Sequence, residues 1–113
     1  MTPTQKSLSL LRDLGYMSVD VTSYAHPKSG KFPVKRDLLG FADILAFKDG
    51  ELLAVNATGR TNVNGHIVKY RENPFVKLWL KAGCHFAIHG WDHEDECRTV
   101  SAYVKDGVVE WEG

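Results

Sequence analysis

Asp43, Asn56 and Thr58 are the residues of this 113-residue chain whose types and spacing best suit polar chemistry rather than core packing. Two apolar runs, 42–47 and 52–55, flank Asp49-Gly50, a dipeptide that favours a two-residue hairpin turn with positive φ at both central positions. With that turn, Lys48 faces Glu51, Phe47 faces Leu52, Ile44 faces Val55 and Asp43 faces Asn56. Directly opposed side chains in an antiparallel pair are neighbours, and a period of two adds Thr58 to the same face. A carboxylate, an amide and a hydroxyl thus gather at one end of a hairpin whose other end, Leu45, Phe47, Leu52 and Ala54, is apolar. The register needs an unbulged ladder, because a slip of one residue would scatter the three groups to opposite faces.

This arrangement resembles the PD-(D/E)XK nuclease superfamily, whose signature is an Asp on one hairpin strand facing Glu-x-Lys on the next. Ala42-Asp43 stands where the family has Pro-Asp, and Asn56-Ala57-Thr58 stands where it has Glu-x-Lys. The resemblance implies an α/β fold: a restriction-endonuclease-like αβββαβ core, a mixed sheet flanked by helices, here with a C-terminal β-hairpin extension and a single domain over 1–113. It also implies a weakly held Mg²⁺ or Mn²⁺ with Asp43 as main ligand, Asn56 as a neutral second ligand and Asp37, in the loop entering the strand, supplying a further carboxylate. In that chemistry Asn56 and Thr58 occupy catalytic positions. Lys69 or His66, on the helix that follows, would fill the family's auxiliary polar role, and DNA would be the substrate.

The elements that must position these residues are legible in outline. Thr2-Pro3-Thr4-Gln5 reads as a capping box opening a helix with an apolar stripe of Leu8, Leu11 and Leu14, ended by Gly15. Alternation of Met17, Val19 and Val21 with polar residues predicts a strand over 17–24 with one wet face, near an edge. Residues 26–36, with two prolines and four cations, read as a long exposed loop. A cap-rich turn over 59–65 leads to a helix through Glu72, and Asn73-Pro74 restarts it with a predicted buried stripe of Phe75, Leu78, Trp79 and Ala82. A strand over 84–90 and a second Asp-Gly hairpin, 99–104 with 108–112, complete the order.

The 43% apolar and 25% charged composition is that of an ordinary globule, with no apolar run long enough to span a membrane. The first residues lack the basic-then-apolar form of a signal peptide, so the expected location is cytoplasmic. Cys84 and Cys97 are too few for a disulfide framework. His85 and His89, four apart on a strand, lie about 13 Å from one another, too far to share a zinc ion. His89, His93 and Cys97 could converge only across an irregular loop.

Net charge is zero but unevenly spread: residues 1–81 carry 12 Lys and Arg against 7 Asp and Glu, whereas residues 82–113 carry 2 against 7. That asymmetry suits a basic face meeting phosphates, with Lys28, Lys31, Lys35 and Arg36 from the loop and Arg60 near the hairpin mouth as nucleic-acid contacts. Two function classes remain open: a metal-dependent endonuclease, or a catalytically inactive nuclease-fold module that binds nucleic acid or a protein partner. A salt titration separates binding to DNA from binding to protein. If the loop cations contact phosphates, log–log affinity for duplex DNA falls with a slope of about −0.9 per contact, and replacing all four with Ser flattens that slope. An unchanged slope removes the loop from the interface.

Overall fold

Asp49 and Gly50 both adopt positive φ, 46° and 78°, closing the tight turn at the centre of the chain. The turn joins β4 (Ile44–Lys48) to β5 (Glu51–Gly59), with Phe47 opposite Leu52 and Ile44 opposite Val55, as the spacing predicts. The computed structural model describes residues 1–25 and 34–113, with backbone alone for Ala25 and Val34. In it β1 (Met17–Asp20) pairs antiparallel with β4, and β6 (His85–Trp91) runs parallel to β5. Then β7 (Cys97–Lys105) and β8 (Val108–Glu112) continue antiparallel, the second hairpin turning at Asp106-Gly107. The result is a mixed six-stranded sheet in the order β1-β4-β5-β6-β7-β8.

A parallel neighbour cannot be reached by a tight turn. The crossover from β5 to β6 is a short 3₁₀ turn, Arg60–Asn62, followed by α2 (Val63–Arg71) and α3 (Pro74–Lys81). Helix α1 (Pro3–Asp13) has the predicted capping box: the Thr2 hydroxyl accepts from the Gln5 N–H, and the Thr2 N–H donates to Gln5 Oε1. Leu11 packs with Ile44, Ala46 and Val55, whereas Val63, Tyr70 and Val76 pack with Ala54, Phe86 and Ile88. Side chains alternate along a strand, so α1 covers one face of the sheet and α2 and α3 the other. No helix among the described residues is long and apolar enough to cross a membrane.

Two predicted burial patterns are corrected. The strand expected over 17–24 stops at Asp20, where an Asp20 side chain accepting from Thr22 turns the backbone, and the chain resumes as β2 (Ser23–Ala25) in a separate ribbon with β3 (Val34–Arg36). On β1 it is Ser18 that is buried, while Met17 and Val19 are exposed. Ser18 lies opposite Ala46, and this small pair lets α1 approach closely, with the Ser18 hydroxyl donating to the Leu8 carbonyl. In α3 the buried residue is Val76, beside partly buried Trp79 and Leu80, while Phe75 and Leu78 face solvent. Two overlapping stripes satisfy the helical period. Trp79 selects between them, because its indole N–H donates to the His85 carbonyl at 2.7 Å and its ring packs on Phe41.

Gly90 sets how α2 meets the sheet. A Cβ there would collide with the Val63 side chain, so the hydrogen lets the first turn of α2 lie directly on β6. On the opposite face a single hydroxyl ties α1 down: Ser7 accepts from the Trp91 indole N–H at 2.8 Å and lies 2.9 Å from His89 Nδ1. Burial pushes the His89 imidazole down to about 4, so it is neutral near pH 7. Ser7→Ala leaves two ring nitrogens without that partner and is expected to lower stability by about 1–3 kcal/mol, read as a shift in urea midpoint at constant m. A midpoint equal to the parent's would show that the hydroxyl contributes nothing.

Candidate functional site

Asp43 sits at the entry to β4, gripped on both sides by backbone. Its N–H donates to the Val55 carbonyl at 2.9 Å, and its carbonyl accepts from the Val21 N–H at 2.8 Å. The side chain is almost wholly buried, and one carboxylate oxygen, Oδ2, accepts from the Asn56 side-chain amide at 3.1 Å and the Ala57 N–H at 2.9 Å. The predicted cross-strand pair is therefore present and directly hydrogen-bonded. Asn56 turns its oxygen away from the carboxylate, toward His66 Nδ1 at 2.7 Å. With the amide so oriented, His66 carries its proton on Nδ1.

A tight loop brings in the second acid. Leu38 and Ala42 exchange hydrogen bonds of 2.8 and 3.0 Å, and Leu39 and Gly40 between them adopt φ of 54° and 80°. Extending that antiparallel bridge outward by one residue sets Asp37 opposite Asp43. The Asn73 side chain, which caps α3 by accepting from the Phe75 N–H, also donates to the Leu39 carbonyl at 3.1 Å and so anchors the loop to the helix layer. Asp37 and Asp43 are close enough to share a proton. Burial first, and then that hydrogen bond, push the Asp43 carboxyl up to about 7, against the opposing effects of the Ala57 N–H and Lys35.

Around the pair lies an open cleft of about 580 Å³ lined by Lys35, Arg36, Asp37, Gly40, Asp43, Asn56, Ala57, His66 and Lys69. Lys35 reaches it from the β2–β3 ribbon, with Nζ 3.9 Å from Asp43 Oδ1. Burial and the Lys69 cation lower the His66 pKa, with Asp37 acting the other way. Tyr70, between His66 and Phe86, is buried with its hydroxyl unpaired among the described residues. Two acids against three basic side chains, Lys35, Arg36 and Lys69, make the cleft receptive to an anion such as phosphate.

Not every predicted residue converges here. Thr58 is buried and does not line the cleft. Arg60 lies on the 3₁₀ turn and pairs with Asp92 at 3.3 Å, in a separate depression with Trp91 and His93. Lys28 and Lys31 lie outside the described residues. Two contributors escaped the sequence reading, the Ala57 N–H and Gly40. Backbone donors leave no side-chain signal, although Leu39-Gly40 between two acids is a turn signal in retrospect.

The donor set fits a hard divalent cation. Magnesium commonly takes one or two carboxylates and keeps several waters, and Asp37 with Asp43 provides two crowded carboxylates that a proton or a cation relieves. Among the described residues no group of three or more His, Cys, Asp or Glu side chains converges on such a point.

The raised Asp43 pKa has a consequence for stability. Between the unfolded carboxyl value near 4 and the folded value near 7, the native state binds more protons, so this group's contribution declines as pH rises and is lost above 7. The buried His89 acts oppositely, its contribution being present above about 6.5 and lost as pH falls toward 4. Asp43→Asn is therefore expected to be more stable than the parent at pH 8, by about 2 kcal/mol after discounting for solvent screening, and to lose stability more steeply on acidification. Urea titrations from pH 4 to 8 measure both; parallel profiles for the two proteins would rule out a proton held at Asp43.

Comparison of this chain with protein-family models, with curated proteins and with solved structures returned no match.

Proposed function

We propose that this chain is a PD-(D/E)XK nuclease-like protein that binds DNA at the Asp43 cleft and hydrolyses phosphodiester bonds there with Mg²⁺ or Mn²⁺. The observation that carries the reading is the pair of crowded carboxylates, Asp37 and Asp43, in a cleft whose other charged groups are cationic. The order α1, β1, β4, β5, α2 and α3, β6 supports it, with β7–β8 as the C-terminal addition. In this reading Asp37 replaces the carboxylate that Asn56 lacks. Lys35 or Lys69, both lining the cleft, takes the position of the lysine that buried Thr58 cannot replace.

When bound, the cation supplies a water of lowered pKa and neutralises charge on the scissile phosphate. Asp43 and Asp37 would hold it, and Asp43 is itself held by Asn56 and Ala57. Arg36 and the two lysines draw in the backbone phosphates. His66, fixed by its bond to Asn56, presents Nε2 as a hydrogen-bonding group beside the phosphate.

One observation favours a second reading, a catalytically inactive module that binds DNA. The Asn56 oxygen is committed to His66, leaving two carboxylates as the charged ligands. Calorimetric titration with Mn²⁺ and a plasmid-nicking assay decide between the two. The first reading expects Mn²⁺ binding that weakens at least tenfold in Asp43→Asn and in Asp37→Asn, together with metal-dependent nicking that both variants lose. Mn²⁺ binding unaffected by either change would overturn the proposed seat, whereas DNA bound but never cut supports the inactive module.

A further inference from the structure

The β2–β3 ribbon does more than deliver Lys35. Tyr24 is the direct cross-strand partner of Lys35, so the two side chains leave the same face of the ribbon with their Cβ atoms about 5 Å apart. Lys35 reaches toward Asp43 from that face, which sets it at the rim of the cleft. Tyr24 is 64% exposed there, so its ring contributes little to the core. An exposed aromatic beside a lysine at the rim of a cleft combines the two elements with which proteins hold unpaired bases: a cation for the backbone and a flat π-face for the base. Bases inside a duplex are already stacked and paired, and cannot offer a face to such a ring without being extruded.

We propose that Tyr24 is a base-stacking platform and that the cleft takes DNA with unpaired bases in preference to intact duplex. The inference rests on the reading of the cleft as a DNA phosphate site and narrows its substrate class. A phosphate held by Lys35 at the rim of the cleft brings its attached base beside Tyr24, the residue paired with Lys35 across the ribbon. Stacking is tolerant of base identity, so the preference is for strandedness and not for sequence.

The experiment is fluorescence anisotropy at low salt without added metal. It uses a labelled single-stranded oligonucleotide and its duplex, with the parent, Tyr24→Ala, Tyr24→Phe and Lys35→Ala. The parent is expected to bind the single strand at least tenfold more tightly than the duplex. Tyr24→Ala should lose about tenfold on the single strand while its duplex affinity stays within twofold, and Tyr24→Phe should behave as the parent. Urea midpoints of the variants confirm that all are folded. If Tyr24→Ala binds the single strand like the parent, or if the parent prefers duplex, the platform is overturned. Loss on both substrates in Lys35→Ala with no effect of Tyr24→Ala leaves the phosphate cleft standing and removes the platform alone. A parent that binds neither DNA overturns both readings.

Discussion

The buried carboxylate of Asp43 is the constraint on which the rest of the site depends. An ionised group removed from water is strongly unfavourable unless hydrogen bonds replace its hydration. The Asn56 amide and the Ala57 N–H replace it for one oxygen. The other oxygen meets Lys35 at 3.9 Å, and the Asp37 carboxyl lies beside the group, so attraction and like-charge repulsion act on the same carboxylate. Such a group is poised to take up a proton or a cation, and tension of this kind is what perturbed carboxylates in binding clefts commonly reflect.

Close packing between layers places the partners of Asp43 at hydrogen-bonding distance. On one face the small pair Ser18 and Ala46 admits α1, which Ser7 then secures to His89 and Trp91. On the other, Gly90 admits the start of α2, and this fixes the height at which His66 meets Asn56. The aromatic contacts among Phe41, Trp79, Phe86 and Tyr70 then hold the 37–42 loop and both crossover helices against the sheet. The cleft is therefore lined by residues of the 37–43 loop, β5, α2 and the ribbon.

Charge is partitioned in the same way. The acidic segment after β6 is not a separate electrostatic feature, because Asp92 pairs with Arg60 and Asp95 with Lys6, away from the cleft. Each pair has one exposed partner, and such surface pairs contribute little to stability. They do neutralise cations elsewhere, so that Lys35, Arg36 and Lys69 concentrate positive charge around the acids. A chain of zero net charge can thus present a cationic cleft.

The local signals in the sequence determined the hairpin register, the caps of α1 and α3 and the pairing of Asp43 with Asn56, because turn chemistry and the period of two are properties of neighbouring residues. Lys69, His66 and Asp37 came instead from the resemblance to the nuclease superfamily, since nothing local to their segments sets them apart from ordinary surface residues. Only the tertiary structure decided which stripe of α3 is buried, since two stripes share the helical period and the choice falls to Trp79 meeting Phe41. It alone decided that Ser18 faces inward, because a helix that approaches closely excludes larger side chains. Likewise, that Thr58 and Arg60 lie away from the cleft while Lys35 enters it depends on how distant segments pack. A side chain's type and spacing set the face from which it leaves its own element, but what lies opposite that face is set by contacts between residues far apart in the chain.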